Sequence, residues 1–106
     1  MARKKQFLVF MFLGSDADPT PRRTTLSLKP TEFIAVSVRN YDHAAEVSKE
    51  LVKEGAIAIE LCAGFGNIGV ARVAEAVKGI PVGMVRFDMH PLLQGKTGDQ
   101  LFGLTP

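Results

Sequence analysis

The chain of 106 residues has no tryptophan, one cysteine and one tyrosine, and its longest apolar run, at residues 7–13, is seven residues long. A transmembrane helix needs about 20 apolar residues, so the sequence predicts no membrane span. The single Cys62 excludes a disulfide within the chain and is typical of a reducing compartment, so we expect a cytoplasmic protein. Hydrophobic residues make up 46% of the sequence, which excludes a disordered chain and predicts one domain over residues 1–106.

The charges of the chain are nearly balanced, with 13 basic and 11 acidic residues. Three basic residues stand in a leader at residues 1–5, and without them the net charge is slightly negative. The sequence has no basic stripe to meet a phosphate backbone, so we do not expect nucleic acid as a partner. Asp16 and Asp18 stand where a signal peptide would have its small-residue cleavage site. We therefore expect a strand after the leader, and no membrane partner.

Strand and helix patterns alternate along the rest of the chain. The apolar run at residues 7–13 predicts a strand buried on both faces, and residues 24–28 a short edge strand. Residues 33–38, 56–62 and 81–87 predict three further strands, separated by two amphipathic helices. The first helix has Asn40 as its cap, ends at Gly55 and carries His43 in solvent; the second ends at Gly79. The predicted inner stripe of the second helix is Val70, Val73, Ala74 and Val77.

This order predicts the fold class. We expect an α/β fold: a single small domain with four to five strands, a parallel β-α-β-α-β core over residues 33–87 and two main helices. Because the carboxyl ends of parallel strands meet at one edge of a sheet, the loops after these strands are expected to face a common ligand.

A glycine-rich segment lies between the strand at residues 56–62 and the second helix. Gly64, Gly66 and Gly69 have the spacing G-x-G-x-x-G, which lets a phosphate approach the backbone at a helix N-terminus. Asp88 stands after the next strand, where dinucleotide-binding folds have a ribose-binding acid. The chain is too short for the second half of such a fold, so we expect a phosphate, carboxylate or nucleotide-type anion, and the sequence identifies no cofactor. The alternative is a tight turn without a ligand.

Three more residues are candidate ligand contacts at this edge. Phe65 could stack on a planar ligand, or it could fill a local core or a subunit contact. Asn67 belongs to the glycine-rich segment. Arg86 could clamp an anion or form a structural pair with Glu60.

A small enzyme is the first alternative to a binding protein, and the sequence leaves the choice open. His90 would be the acid–base group, oriented by Asp88, and Cys62 the nucleophile if the helix N-terminus lowers its pKa. A divalent metal is a further alternative, with candidate ligands Asp16, Asp18, Asp88 and His90.

Self-association is expected because the predicted helices are too few to cover both faces of the predicted sheet. Two helices cover only part of a four- or five-stranded sheet, yet residues 7–13 are apolar on both faces. Either the tail at residues 92–106 covers the second face or another subunit does. We expect a homo-oligomer, and a structural homo-oligomer without a ligand is the second alternative. The tail residues expected near the contact are Leu92, Leu93, Leu101 and Phe102.

Three stretches of the chain resemble a family of small prokaryotic proteins of unknown function. They are FMFLGSDADP at residues 10–19, ELCAGFGNIG at residues 60–69 and VRFDMHP at residues 85–91. The resemblance spans nearly the whole chain and implies a soluble, stand-alone domain with the three stretches side by side. It implies no catalytic role for any residue, and it counts against a dehydrogenase.

Overall fold

A five-stranded sheet organises the chain, and a computed structural model describes its residues 6–14 and 23–104. The elements in chain order are β1 Phe7–Leu13, β2 Arg23–Ser27, β3 Glu32–Val38, α1 Tyr41–Glu54, β4 Ala56–Leu61, α2 Asn67–Ala76, β5 Val82–Met84, a 3-10 turn Pro91–Leu93 and α3 Gly98–Leu101. The strand order across the sheet is β2-β3-β1-β4-β5. All neighbours are parallel except β2, an antiparallel edge strand. The predicted α/β fold, with its parallel core and two main helices, is confirmed.

Helix α1 has the caps that the sequence predicts. The Asn40 side chain accepts a hydrogen bond from the backbone N of His43 at 2.8 Å, and Gly55 ends the helix with a φ of 123°. His43 is buried and not in solvent, in contrast to the prediction. Its Nδ1 accepts a hydrogen bond from the backbone N of Arg39 at 3.1 Å, so the imidazole joins the helix to the strand before it.

Both main helices lie on the same face of the sheet. The connections β3-α1-β4 and β4-α2-β5 cross in the same direction, and α1 packs against α2. On β1, Phe7, Val9 and Met11 are buried beneath the helices, whereas Phe12 on the opposite face is 43% exposed. In the part of the chain that the structure describes, therefore, β1 is fully buried on one face only; on the other face Leu8 and Phe10 are half-buried, so the predicted burial of both faces is met on one.

Three local details also differ from the prediction. Alternation along residues 56–62 predicts that Ile57 shares a face with Ile59 and Leu61, but a register shift between β1 and β4 turns Ile57 outward, so this side chain is 41% exposed. Strand β5 ends at Met84, because the ladder that it forms with β4 ends at Leu61. Helix α2 ends at Ala76, before the predicted Gly79, and Ala74 of its predicted inner stripe is exposed.

The described tail returns to the start of α2 and does not cover the second face of the sheet. Helix α3 begins with a capping box between Thr97 and Gln100 and packs against α2. We call the side of the sheet that none of the described helices covers the bare face. By register it consists of Leu8, Phe10, Phe12, Thr24, Leu26, Phe33, Ala35, Ser37, Ala58 and Glu60. None of the helices in residues 6–14 and 23–104 is long and apolar enough to cross a membrane.

Candidate functional site

The carboxyl ends of the parallel strands form one wall of a cavity of about 840 Å³. Gly14 follows β1, Arg39 follows β3, Cys62 follows β4 and Val85 follows β5, and all four line this cavity. The tail forms the opposite wall with His90, Leu92, Leu93, Gln94, Leu101 and Phe102. The predicted meeting of the strand ends at one edge is thus confirmed, and the tail encloses it.

The cavity is mostly apolar, with few polar side chains in its lining. Phe10 and Phe12 of β1 stack on each other, with ring centroids 4.8 Å apart, and line the cavity from the sheet. The polar side chains in the lining are Arg39, Cys62, His90 and Gln94. This composition, an apolar body with a few polar groups, is typical of small-molecule sites.

Arg39 differs from the other arginines in the part of the chain that the structure describes. Those arginines form ion pairs with carboxylates: Arg23 with Glu54 at 2.8 Å, Arg72 with Asp42 at 3.2 Å and Arg86 with Asp88 at 2.8 Å. The Arg39 guanidinium has no carboxylate partner among residues 6–14 and 23–104. The cavity is therefore lined by one cation whose charge the described residues do not neutralise.

The backbone donors of the glycine-rich segment are taken by two side chains of the protein itself. Gly66 N donates to Tyr41 Oη at 2.9 Å. Ile68 N donates to Asp99 Oδ2 at 3.0 Å, and Gly69 N donates to Asp99 Oδ1 at 3.4 Å. Asp99 is 3% exposed. The anion at the N-terminus of α2 is thus a carboxylate from the tail, where the helix dipole favours negative charge.

The glycines of this segment leave room for those two side chains. A Cβ at Gly66 would overlap the Asp99 carboxylate, and a Cβ at Gly69 would overlap the Tyr41 ring. At Gly64 a Cβ would meet only Cys62 Sγ at 3.3 Å and Leu13 at 3.5 Å. The close approach to the backbone that the glycine spacing predicts is therefore real, and the approaching group belongs to the protein.

Tyr41 connects α1, the glycine-rich segment and the tail. Its Oη donates a hydrogen bond to Asp99 Oδ1 at 2.8 Å. Burial raises the pKa of Tyr41 well above its ordinary value; the bond from Gly66 N opposes this rise and the Asp99 carboxylate adds to it. The Tyr41 ring stacks on Phe65 at 5.7 Å and meets Phe102 edge-on at 5.0 Å. Phe65 is 1% exposed and therefore lies in the core, one of its three predicted places.

The predicted residues Asn67, Arg86 and Asp88 meet on the surface beside the start of α2. Arg86 Nη1 donates to Asn67 Oδ1 at 2.7 Å, and Arg86 Nη2 donates to Asp88 Oδ1 at 2.8 Å. Glu60 is exposed and does not pair with Arg86, so that structural pair is not formed. This cluster lies outside the lining of the cavity.

His90 and Cys62 both line the cavity, but Asp88 is not the partner of His90. His90 Nδ1 accepts a hydrogen bond from Leu92 N at 3.1 Å, and its ring lies 5.3 Å from that of Phe87. Cys62 Sγ accepts a hydrogen bond from Gly64 N at 3.3 Å.

The predicted metal site is only partly covered by the structure. Among the residues described, no three His, Cys, Asp or Glu side chains come close enough together to hold a metal ion. Asp88 is bound by Arg86, and His90 lies in the tail wall of the cavity. Asp16 and Asp18, the other two candidates, lie outside the described residues.

The order of the sheet, the one-sided helices and the edge cavity define a small α/β domain with a cavity where its parallel strands end. The chain belongs to DUF6506, a family of unknown function whose model matches residues 6–100. The resemblance to a family of unknown function is thus confirmed. A comparison with curated proteins and with solved structures gives no match.

Three residues at this end of the sheet are absent from the predicted set: Arg39 in the cavity lining, and Tyr41 and Asp99 at the start of α2. Arg39 had a usable signal, because it directly follows a strand whose end was expected at the ligand edge. No local sequence signal identifies Asp99, because its three hydrogen-bond partners lie about 30 to 58 residues away in sequence.

Proposed function

We propose that the protein binds a small organic acid in the edge cavity, with an apolar body against the Phe10 side and the acid group on Arg39. The observation that carries the proposal is the Arg39 guanidinium, which lines a mostly apolar cavity and has no carboxylate partner among residues 6–14 and 23–104. An acid group would supply the opposite charge that the described residues do not, through the charge-assisted hydrogen bonds that guanidinium forms with carboxylate or phosphate.

Size and position support this proposal. The cavity of about 840 Å³ falls within the range of about 300–1,000 Å³ that is usual for small-molecule sites. Its place at the carboxyl ends of parallel strands is where open α/β sheets bind ligands. An apolar lining favours a ligand with a hydrocarbon or aromatic body over inorganic phosphate, because apolar burial contributes about 25 cal/mol per Å².

In this proposal the glycine-rich segment lines the cavity but does not bind the acid group, although its spacing predicts an anion at its backbone. Gly64 lines the cavity, whereas the backbone N–H groups of Gly66, Ile68 and Gly69 already bind Tyr41 or Asp99. A ligand phosphate at those donors would have to displace the buried Asp99 carboxylate. We therefore place the acid group at Arg39, not at the N-terminus of α2.

Calorimetric titration with 4-phenylbutyrate, and with 4-phenyl-1-butanol as the neutral analogue of the same shape, tests the proposal. Wild type should bind the acid at least about tenfold more tightly than the alcohol, since only the acid pairs with Arg39. Arg39→Gln should remove this preference, and the control Arg72→Gln, an exposed arginine outside the cavity, should keep it. Equal binding of acid and alcohol by wild type, or no binding of either, would contradict the proposal.

A small enzyme remains a second candidate, because a thiol and an imidazole line the same cavity. Cys62 lies on the sheet wall and His90 on the tail wall. In this candidate function, the His90 imidazole would act as the base that takes the proton of Cys62 when the thiol attacks a substrate. The rate of Cys62 alkylation by iodoacetamide measures this without a known substrate. A clearly slower alkylation of Cys62 in the His90→Gln variant at neutral pH would support an enzymatic function. An unchanged alkylation rate would contradict it.

We also propose that the protein is a homo-oligomer. Leu92 at the rim of the cavity is 85% exposed and Phe102 is 37% exposed, and the neighbouring bare face adds Phe12 and Leu26. Monomers rarely expose contiguous apolar patches larger than about 300–600 Å². If no acid binds, self-association without a ligand is the alternative that remains.

A further inference from the structure

The geometry points to a homodimer in which two copies of the chain pack bare face against bare face and thereby close the edge cavity of each copy. The inference has two parts: the dimer interface, which does not depend on any ligand, and the closure of the cavity, which rests on the proposed function.

The topology is the first support for this interface. Both helices lie on one side of the sheet, and the described tail packs against α2 and Tyr41, not across the other side. Parallel sheets are ordinarily covered on both faces, because their strands are apolar on both. Here the central strand β1 presents Leu8, Phe10 and Phe12 on the bare face, with Phe12 43% exposed.

The residue composition of the bare face favours a second copy of the chain as the partner that packs against it. By register, Phe33 lies beside Leu8 on one side and beside Leu26 on the other, so the large apolar groups are contiguous across three strands. Leu26 is 59% exposed. Glu60 is the one charged side chain on the strands of this face in the described chain, and Arg39 stands at its rim. A lipid surface or a nucleic acid would require a cluster of basic residues, which this face lacks.

The bare face and the rim of the cavity together are just large enough for a dimer interface. Strands about 4.8 Å apart with a rise of about 3.3 Å per residue give a face of roughly 20 by 20 Å on each copy. Two such faces would together bury about 800 Å², and with the apolar rim of the cavity the contact would reach about 1,000 Å², the lower limit for a specific interface. Two sheets that stack face to face are a standard packing, and a two-fold axis lets one face serve both copies.

The interface is continuous with the cavity. Phe10 and Phe12 belong both to the bare face and to the cavity lining. A second copy on this face would cover these rings and exclude water from the adjoining space. The tail residues Leu92 and Leu101 then lie at the rim of the contact, near the place that the sequence suggests, while the centre of the contact is the sheet.

Two neighbouring threonines of β2 provide a matched test. Thr24 lies on the bare face, opposite Ala35, and Thr25 points to the other side, opposite Ile34; both are exposed in the single chain. Sedimentation velocity without any ligand should give wild type at twice the chain mass of 11.5 kDa. Thr24→Lys should raise the dimer dissociation constant by at least about tenfold, because its charge is desolvated in the interface, and Thr25→Lys should not. Leu26→Lys should act more strongly than Thr24→Lys.

The possible outcomes separate the two parts of the inference. A monomeric wild type, or a dimer that Thr24→Lys and Leu26→Lys leave unchanged, would overturn the interface. If the dimer forms, saturating 4-phenylbutyrate should tighten it, because closure of the cavity couples ligand binding to association. A dimer that forms but does not tighten would overturn the closure alone. Failure of the proposed function would instead appear as no calorimetric binding by a protein that still dimerises.

Discussion

The start of α2 and the edge cavity lie at the same end of the sheet, but they differ in what their polar groups bind. At the start of α2, three backbone donors and the Tyr41 hydroxyl are all bonded within the protein, largely through the buried Asp99. In the cavity, the Arg39 cation has no carboxylate partner among the described residues. A glycine-rich strand-to-helix turn thus identifies a place for an anion, but the anion can belong to the chain itself.

The largest effect is expected at Asp99. Asp99→Ala removes a buried carboxylate and leaves the donors of Tyr41, Ile68 and Gly69 without partners, so the free energy of unfolding should fall by about 3 kcal/mol. Urea denaturation followed by circular dichroism measures this loss. Asp88→Ala, at an exposed carboxylate, is the control and should change stability by less than about 0.5 kcal/mol. Equal losses in the two variants would mean that the start of α2 is not held by Asp99.

A pair of glycine substitutions tests how much room each of the two places leaves for a side chain. Gly66→Ala would force its Cβ into the Asp99 carboxylate and should cost about 2 kcal/mol or more. Gly64→Ala, on the cavity side of the same segment, places its Cβ 3.3 Å from Cys62 Sγ and needs only a small adjustment. The midpoint of thermal unfolding should therefore fall clearly for Gly66→Ala and little for Gly64→Ala. The reverse order would contradict the close contact with Asp99.

The sequence was sufficient for the parts of the fold that depend on local chemistry. Asn40 and Gly55 delimit α1 as predicted, and alternating patterns predict the strands of the parallel core. The outward turn of Ile57 was not predictable, because it results from a register shift against β1 and not from the pattern of β4. The end of β5 likewise depends on the length of its neighbour.

The candidate site could be predicted less well than the fold. The edge itself was predicted, and Cys62, Gly64 and His90 do line the cavity there. The part taken by Asp99 was not, because it depends on how the tail folds back over the glycine-rich segment. The glycine spacing indicates that some group approaches Gly66 closely, but it does not identify that group as the Asp99 carboxylate.

The single tyrosine gives a test of intermediate effect. The raised pKa of Tyr41 means that the unfolded chain ionises near pH 10 while the folded chain stays protonated. The Tyr41 contribution to stability is thus fully present below about pH 10 and is lost as the pH rises through the folded pKa. Tyrosinate absorbance should therefore appear together with the loss of circular dichroism. A reversible titration near pH 10 in a folded protein would contradict the buried hydroxyl.

The smallest effect is expected in the surface cluster beside the start of α2. Arg86→Ala removes the bonds to Asn67 and Asp88, both of which are exposed to solvent. Exposed ion pairs contribute about 0–1 kcal/mol, so this variant should unfold within about 1 kcal/mol of wild type. Its affinity for 4-phenylbutyrate should be unchanged, because the cluster lies outside the cavity. A loss of binding in Arg86→Ala would instead restore Arg86 as an anion contact.

A titration of the ¹⁵N-labelled protein with 4-phenylbutyrate, followed through its backbone amide resonances, tests the difference between the two places most directly. We expect shifts at the cavity residues Arg39, Cys62, Gly64 and Val85, and unchanged resonances at Gly66, Ile68 and Gly69. Shifts concentrated at Gly66, Ile68 and Gly69 would contradict it, because they would show that the ligand displaces Asp99 from the N-terminus of α2.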